Sequence, residues 1–302
     1  MRLRTVALAA LLVASGCGSA HHSSRRHAVA GTLQALFNRP GENVALVNGA
    51  SDFSTGVVRF PFVVLTHTAR AVYRPEARVW LARSLAAKPF EETRARLEPI
   101  GVPGESQPAF GGVTKVYVAE LRISRPGHYW ALAEPVGGKP IQGVTILNVK
   151  ARSSSPPIGS KAPDSDTPTI ASAHGRLRLL TTRVPPDRAL LRYSVAASLA
   201  AHAPFVLTFA TPAFCTSRTC GPVVDVVDQV RRRFAWTGIR FIHVEVYRDN
   251  KPALGYNRWM RQWNLLTEPW TFLVGRDGRI KAKFEGAIST GELTDAVRRH
   301  LA

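Results

Sequence analysis

Two cysteines separated by four residues stand past the middle of the chain, in FATPAFCTSRTCGPVVDVV (residues 209–227). Cys215 and Cys220 allow three chemistries: a reactive dithiol, part of a metal clamp, or a disulfide that only staples the chain. An apolar strand, PFVLTF (204–209), runs into the pair, and Val223–Phe234 follows with helical spacing, ending in Arg231-Arg232-Arg233. On a regular helix, residues i and i+5 lie ~140° apart around the axis. Their Cα separation then exceeds the ~7 Å limit of a disulfide unless Cys215 stands in the preceding loop or the first turn opens. Pro212 suits such a loop.

The third cysteine, Cys17, closes MRLRTVALAALLVASGC. Arg2 and Arg4, an apolar run from Val6 to Val13 and small residues before the cysteine read as a signal peptide spanning 1–16. The apolar run is far shorter than the ~20 residues of a membrane span. Ala14-Ser15-Gly16-Cys17 resembles the bacterial lipobox, which implies that Cys17 is lipidated and anchors an extracytoplasmic protein to the membrane. One cysteine pair then remains, in an oxidising compartment. An ordinary secretory signal is the alternative.

The chain is long enough for two domains. Residues 17–41 read as a polar tether. From 42 to 151, short β-rich runs (Arg59–Leu65, Ala77–Leu81, Thr114–Leu121, Tyr129–Ala133, Val144–Val149) alternate with Gly/Pro/Asn turns, the rhythm of an all-β sandwich. RISRPGHYWAL resembles the entry to a late strand of immunoglobulin-like domains. Residues 152–170, RSSSPPIGSKAPDSDTPTI, read as a Ser/Pro-rich linker. From 171 to 302 strands alternate with helices: Phe241–Tyr247 as a strand, a helix around Asn257–Leu265, a strand–Asp277-Gly278–strand hairpin, and a last helix opened by Thr290. A formal charge of +19, from 40 Lys/Arg against 21 Asp/Glu, favours anionic surfaces. The basic residues are dispersed and form no nucleic-acid module, so nucleic acid is not an expected partner.

The order strand, Cys-x4-Cys, helix, strand, helix, Pro, strand, hairpin, strand, helix resembles the thioredoxin-like superfamily, over roughly residues 158–302. APFVLTFATPAFCTSRTCGP, TEPWTFLV and GRDGRIKAKFEGAISTGELTDAV carry the likeness, and IGSKAPDSDTP resembles the entry segment of the redoxin and TlpA-like branch. The fold expected is therefore an N-terminal immunoglobulin-like sandwich followed by an α/β thioredoxin-like domain. The resemblance implies that Cys215, at a helix N-terminus, is a low-pKa nucleophile and that Cys220 resolves its mixed disulfide. Pro269 matches the cis-proline that holds a substrate backbone, and Arg218 adds positive charge. Thioredoxins bury an acid in the strand before the cysteines. Here Thr208 is nearest in register, and Glu245, sharing a strand face with His243, faces the same region.

A membrane-anchored thiol–disulfide oxidoreductase acting on protein thiols or disulfides, with an unknown redox partner and no cofactor, is the leading expectation. The alternative is a non-catalytic surface lipoprotein whose thioredoxin-like domain keeps a structural disulfide and binds a partner. FCTSRTC also resembles the CTxxxC string of a peroxiredoxin subgroup, but Pro212 and Thr208 replace that subgroup's expected Thr and Pro. Sco-type copper proteins use Cys-x3-Cys and a histidine before the last helix. Past His243 this chain has only His300, so no metal is expected. Tyr256, Trp259, Trp263 and Trp270 flank Pro269 and read either as a client groove or as core against the sheet.

Overall fold

The computed structural model describes residues 28–302; the expected signal peptide, Cys17 and the first part of the tether lie outside the described residues. Seven strands come first: β1 (Glu42–Asn48), β2 (Gly56–Thr66), β3 (Glu76–Ala82), β4 (Glu91–Pro99), β5 (Lys115–Ile123), β6 (Gly127–Pro135) and β7 (Ile141–Val149). They form a closed barrel in the order β1-β2-β5-β4-β3-β6-β7. A sandwich of two separate sheets was expected, and the structure corrects this. The β3–β4 pairing joins the sheets on one side, from Glu76↔Arg96 to Leu81↔Glu91, and the parallel β1–β7 pair joins them on the other. Alternation along β2 sends Phe60, Phe62 and Val64 inward. Phe60 stacks on Phe62 and Phe62 on Tyr117, with ring centroids 4.9 and 5.3 Å apart.

Part of the expected tether is folded. The short helix α1 (Leu33–Phe37) is capped by Thr32, buries Leu33, and receives the Gln142 amide on the Phe37 carbonyl at 2.9 Å.

The second half opens with α2 (Val195–Ala200) and continues with β8 (Phe205–Phe209), α3 (Cys220–Arg233), β9 (Arg240–Val244), α4 (Arg258–Gln262), β10 (Trp270–Val274), β11 (Ile280–Glu285) and α5 (Thr290–His300). The sheet order is β11-β10-β8-β9, with β8 parallel to β9 and β10 antiparallel to β8 and β11. β8 and β10 are buried on both faces, as continuous apolar runs require. Val206, Phe241 and Leu273 pack under α3 and α5. The residues between them (Phe205, Leu207, Ile242, Phe272) face Met260 and Trp263.

Residues 152–170, expected as a linker, lie against this half. Gly159 N–H donates to Ile280 O and Ala162 N–H to Gly278 O, while Trp263 Nε1 donates to Ser165 Oγ at 2.9 Å.

The barrel docks on the second half through both apolar and polar contacts, Ala287 clustering with Ile100 and Val116. Arg59 of β2 grips both carboxylate oxygens of Glu292 in α5 at 2.9 and 3.0 Å and donates to Ala287 O at 2.8 Å. Both side chains are largely buried, and Glu292 also completes the capping box of α5 with Ser289. Removing the guanidinium strands a buried carboxylate. Arg59→Ala is therefore expected to lower stability in a urea titration by about 3–5 kcal/mol, and Arg59→Lys by less, since it keeps the charge but loses the fork. A loss below about 0.5 kcal/mol, the range of ordinary surface substitutions, would show the pair to be dispensable.

Candidate active site

The spacing of the two cysteines is resolved by a helix that begins at the second. Cys220 is the first residue of α3, and Cys215 stands in the turn before it. That turn is built by the Phe214 and Cys215 N–H groups donating to Thr211 O at 3.1 and 3.0 Å, and by Arg218 N–H donating to Cys215 O at 3.0 Å. Arg218 takes a left-handed φ of 56°, which folds the chain back toward the helix start.

Both thiols are free and buried, Cys215 at 7% exposure and Cys220 at 0%. The Cys215 sulfur receives the Cys220 backbone N–H at 3.4 Å, lies 3.3 Å from Ser217 Oγ and 3.9 Å from Thr219 Oγ1. The Cys220 thiol, these hydroxyls and the Cys220 amide all stabilise a thiolate, against burial, and hold Cys215 down to about 5. Burial and the neighbouring Cys215 push Cys220 far up. The pair is thus an anion beside a protonated thiol.

The other expected residues fall out as follows. Pro269 follows a cis Glu268–Pro269 bond and leads β10, whose Trp270 pairs with Phe209 at the end of β8. It therefore lies at the sheet end from which the cysteine turn departs. Arg218 is exposed, and the groups that hold Cys215 down are hydroxyls, a thiol and an amide. Thr208 is buried, and its hydroxyl pairs with Thr271 Oγ1 at 3.3 Å. Glu245 lies just past β9 and accepts from Thr182 N–H at 2.6 Å and Thr182 Oγ1 at 2.7 Å. The Thr182 hydroxyl in turn accepts from Ala213 N–H at 3.1 Å, so Glu245 braces the cysteine turn through Thr182. His243 is buried and its Nε2 lies 3.0 Å from Ala210 O. Burial keeps it low in proton affinity. Trp263 and Trp270 are core.

Four features of the site were not singled out from sequence. Ser217 and Thr219 lie between the cysteines and hydrogen-bond to each other at 2.7 Å; their hydroxyls beside a helix start were the available signal. Tyr247 packs edge-on to Phe214 and stacks on Tyr256, with centroids 6.4 and 5.7 Å apart. Glu268 accepts from Tyr256 OH at 3.3 Å, and burial and the Cys215 charge raise it above the ordinary carboxyl range. Finally, Phe110 N–H, from the barrel's 101–112 loop, donates to Ser217 O at 3.0 Å, so the barrel touches the cysteine turn itself.

A depressed thiol titrates by a defined sign. Its contribution to the stability of the reduced protein is complete above the unfolded thiol's ~8.5 and lost as pH falls through about 5. The rate of iodoacetamide capping of the reduced protein is expected to rise with a midpoint near 5, with Cys215 alone labelled at neutral pH. A midpoint near the free-cysteine value of ~8.5, or equal labelling of Cys220, would contradict this geometry.

No protein-family model and no curated protein matches this chain. Among solved structures it is similar to a thiol:disulfide interchange protein, a thioredoxin family protein from Chlorobium tepidum TLS. That likeness has a TM-score of 0.33 and 15% identity, and covers 49% of this chain and 100% of the other.

Proposed function

We propose that this chain is a membrane-anchored, extracytoplasmic thiol–disulfide oxidoreductase that works through Cys215 and Cys220. The observation that carries the reading is the asymmetry of the pair: a sulfur held as thiolate by the first N–H of α3, beside a thiol that keeps its proton. In the reducing direction, Cys215 S⁻ attacks a substrate disulfide, forming one S–S bond and releasing one substrate thiolate. Cys220 then loses its proton, attacks Cys215 Sγ, and expels the second substrate thiolate. The substrate gains two electrons, and the Cys215–Cys220 pair ends oxidised. An external dithiol protein, its identity open, restores the pair. Pro269 is assigned to the substrate backbone, and Cys17 to the lipid anchor.

The proposed division is a barrel domain over 42–151, a connecting segment over 152–170 and a thioredoxin-like domain over 171–302. The barrel's strand order, 1-2-5-4 then 3-6-7, supports an immunoglobulin-like reading, being the order of that fold's two sheets joined at their edges. The second functional reading, a structural disulfide in a binding protein, is favoured by one observation, the near-complete burial of both sulfurs.

A reduction potential separates the two. The redox reading expects a value above about −300 mV, exchange with dithiols, and insulin-disulfide reduction abolished by Cys215→Ser. A potential below that bound, together with insulin reduction unaffected by the substitution, would assign the pair to structure.

A further inference from the structure

The resolving step requires Cys220 to lose a proton from a fully buried sulfur. β8 carries no acid beneath the pair, and its Thr208 hydroxyl is occupied by Thr271. Three carboxyls stand near this end of the sheet, and Glu285, opposite Trp270 on β11, has both oxygens taken by Ser51, the Asp52 N–H and Thr267. Glu245 directs one oxygen to Thr182 and lies beside His243, on the β9 side. Glu268 stands on the other side, two residues ahead of Trp270, which pairs with the last residue of β8 just before the cysteine turn. The charges felt by Cys220 include that of Glu268, and Glu268 feels Cys215. An aromatic wall of Phe214, Tyr247 and Tyr256 closes the same corner, and Tyr256 OH holds Glu268 Oε2 at 3.3 Å.

We propose that Glu268 is the proton acceptor for Cys220 and the proton donor to the departing substrate thiolate. The proposal rests on the thiol–disulfide reading above. In the mixed disulfide, Cys220 S–H gives its proton to the Glu268 carboxylate. The Cys220 sulfur forms its bond to Cys215 Sγ, and the Cys215–substrate bond breaks with its electron pair leaving on the substrate sulfur. That thiolate takes the proton from Glu268, which ends ionised beside the new disulfide, so atoms and charge balance. The electrostatics fit this order. While Cys215 is a thiolate, its charge favours the protonated acid. Once that charge is consumed in the mixed disulfide, Glu268 is released to ionise at the moment an acceptor is needed. The titratable groups facing Glu268 are Cys215 from the turn, Cys220 from α3, and Tyr247 and Tyr256 from the segment after β9. Burial and Glu268 raise both tyrosines, Tyr256 to about 12, so neither competes as a base at neutral pH.

Reduced full-length protein mixed with dithiobis-nitrobenzoate releases one coloured thiolate on attack by Cys215 and a second on resolution by Cys220. Glu268→Gln is expected to keep the first phase within about twofold and slow the second by about 10²-fold at neutral pH, the lower range for a positioned acid–base group. The defect should fade at alkaline pH, where Cys220 ionises without help. Glu268→Asp should restore part of the second phase. Tyr256→Phe, which removes a hydrogen bond to the ionised carboxylate, should move the pH profile of that phase upward. A second phase unchanged in Glu268→Gln at every pH would overturn the assignment, as would equal slowing of both phases with no rescue by Asp. If wild type releases no thiolate, or Cys215→Ser releases as much, the thiol–disulfide reading itself fails.

Discussion

The hydrogen bond from the Cys220 N–H to the Cys215 sulfur joins the chemistry to the fold. α3 has no side-chain N-cap: Thr219 precedes it in αR conformation, and its hydroxyl turns to Ser217 and toward Cys215. The sulfur accepts the N–H of Cys220, the first residue of α3, one of the donors that a helix start leaves without an intrahelical partner. A charged acceptor is stronger than a neutral one, so ionising Cys215 strengthens its hold on the start of α3. The buried strand β8 and the cysteine turn exist, in effect, to deliver one sulfur to one amide.

That placement depends on the barrel as well. Val102 of the barrel loop packs into the core under α3, and Ser106 Oγ donates to Asp225 of α3 at 2.6 Å. Arg183, from the segment before α2, pairs with the same carboxylate. Gly101 has φ +75°, and a Cβ there would stand 2.8 Å from Pro222 Cβ, two residues into α3. The loop approaches this closely only as glycine, and its neighbour Phe110 then reaches the Ser217 carbonyl. With the Arg59–Glu292 pair at the far end of the interface, the barrel braces both the start of α3 and the start of α5.

Much of this was legible in the residues. Apolar β-branched runs located β2, β5, β8, β9 and β10, the Asp277-Gly278 turn located the last hairpin, and the charged ends of α3 and α5 located their termini. β4 escaped because EETRARLEP buries only Ala95 and carries charge on its open face, so neither alternation nor hydrophobicity marks it. β1 escaped because ENVALVN is short and half-polar and owes its order to pairing with β2 across five residues. At the site, the cysteines and Pro269 were visible because they are chemically distinctive types. Glu268 was not, since a carboxylate before a proline has no spacing signature and acquires meaning only when Tyr256, from a separate turn, donates to it. Arg218 shows the complementary case: its charge is plain in the sequence, whereas its left-handed backbone and the bond from its amide to Cys215 O emerge only from the fold.

The origin of the low Cys215 pKa also separates local from global electrostatics. The chain carries a formal charge of +19, yet the groups that hold the thiolate are the Cys220 thiol, two hydroxyls and a backbone amide. Such short hydrogen-bonded contacts are screened little by salt, whereas the field of dispersed surface arginines falls off within a Debye length of ~8 Å at physiological ionic strength. Glu268 has the opposite sign to the protein as a whole, and the Cys215 charge disfavours its ionisation. A site built this way keeps its nucleophile ionised by hydrogen-bond geometry. A thiolate favoured at rest stabilises the reduced pair and makes it a weaker reductant. The repulsion from Glu268 works the other way, and it is relieved when the thiolate is spent.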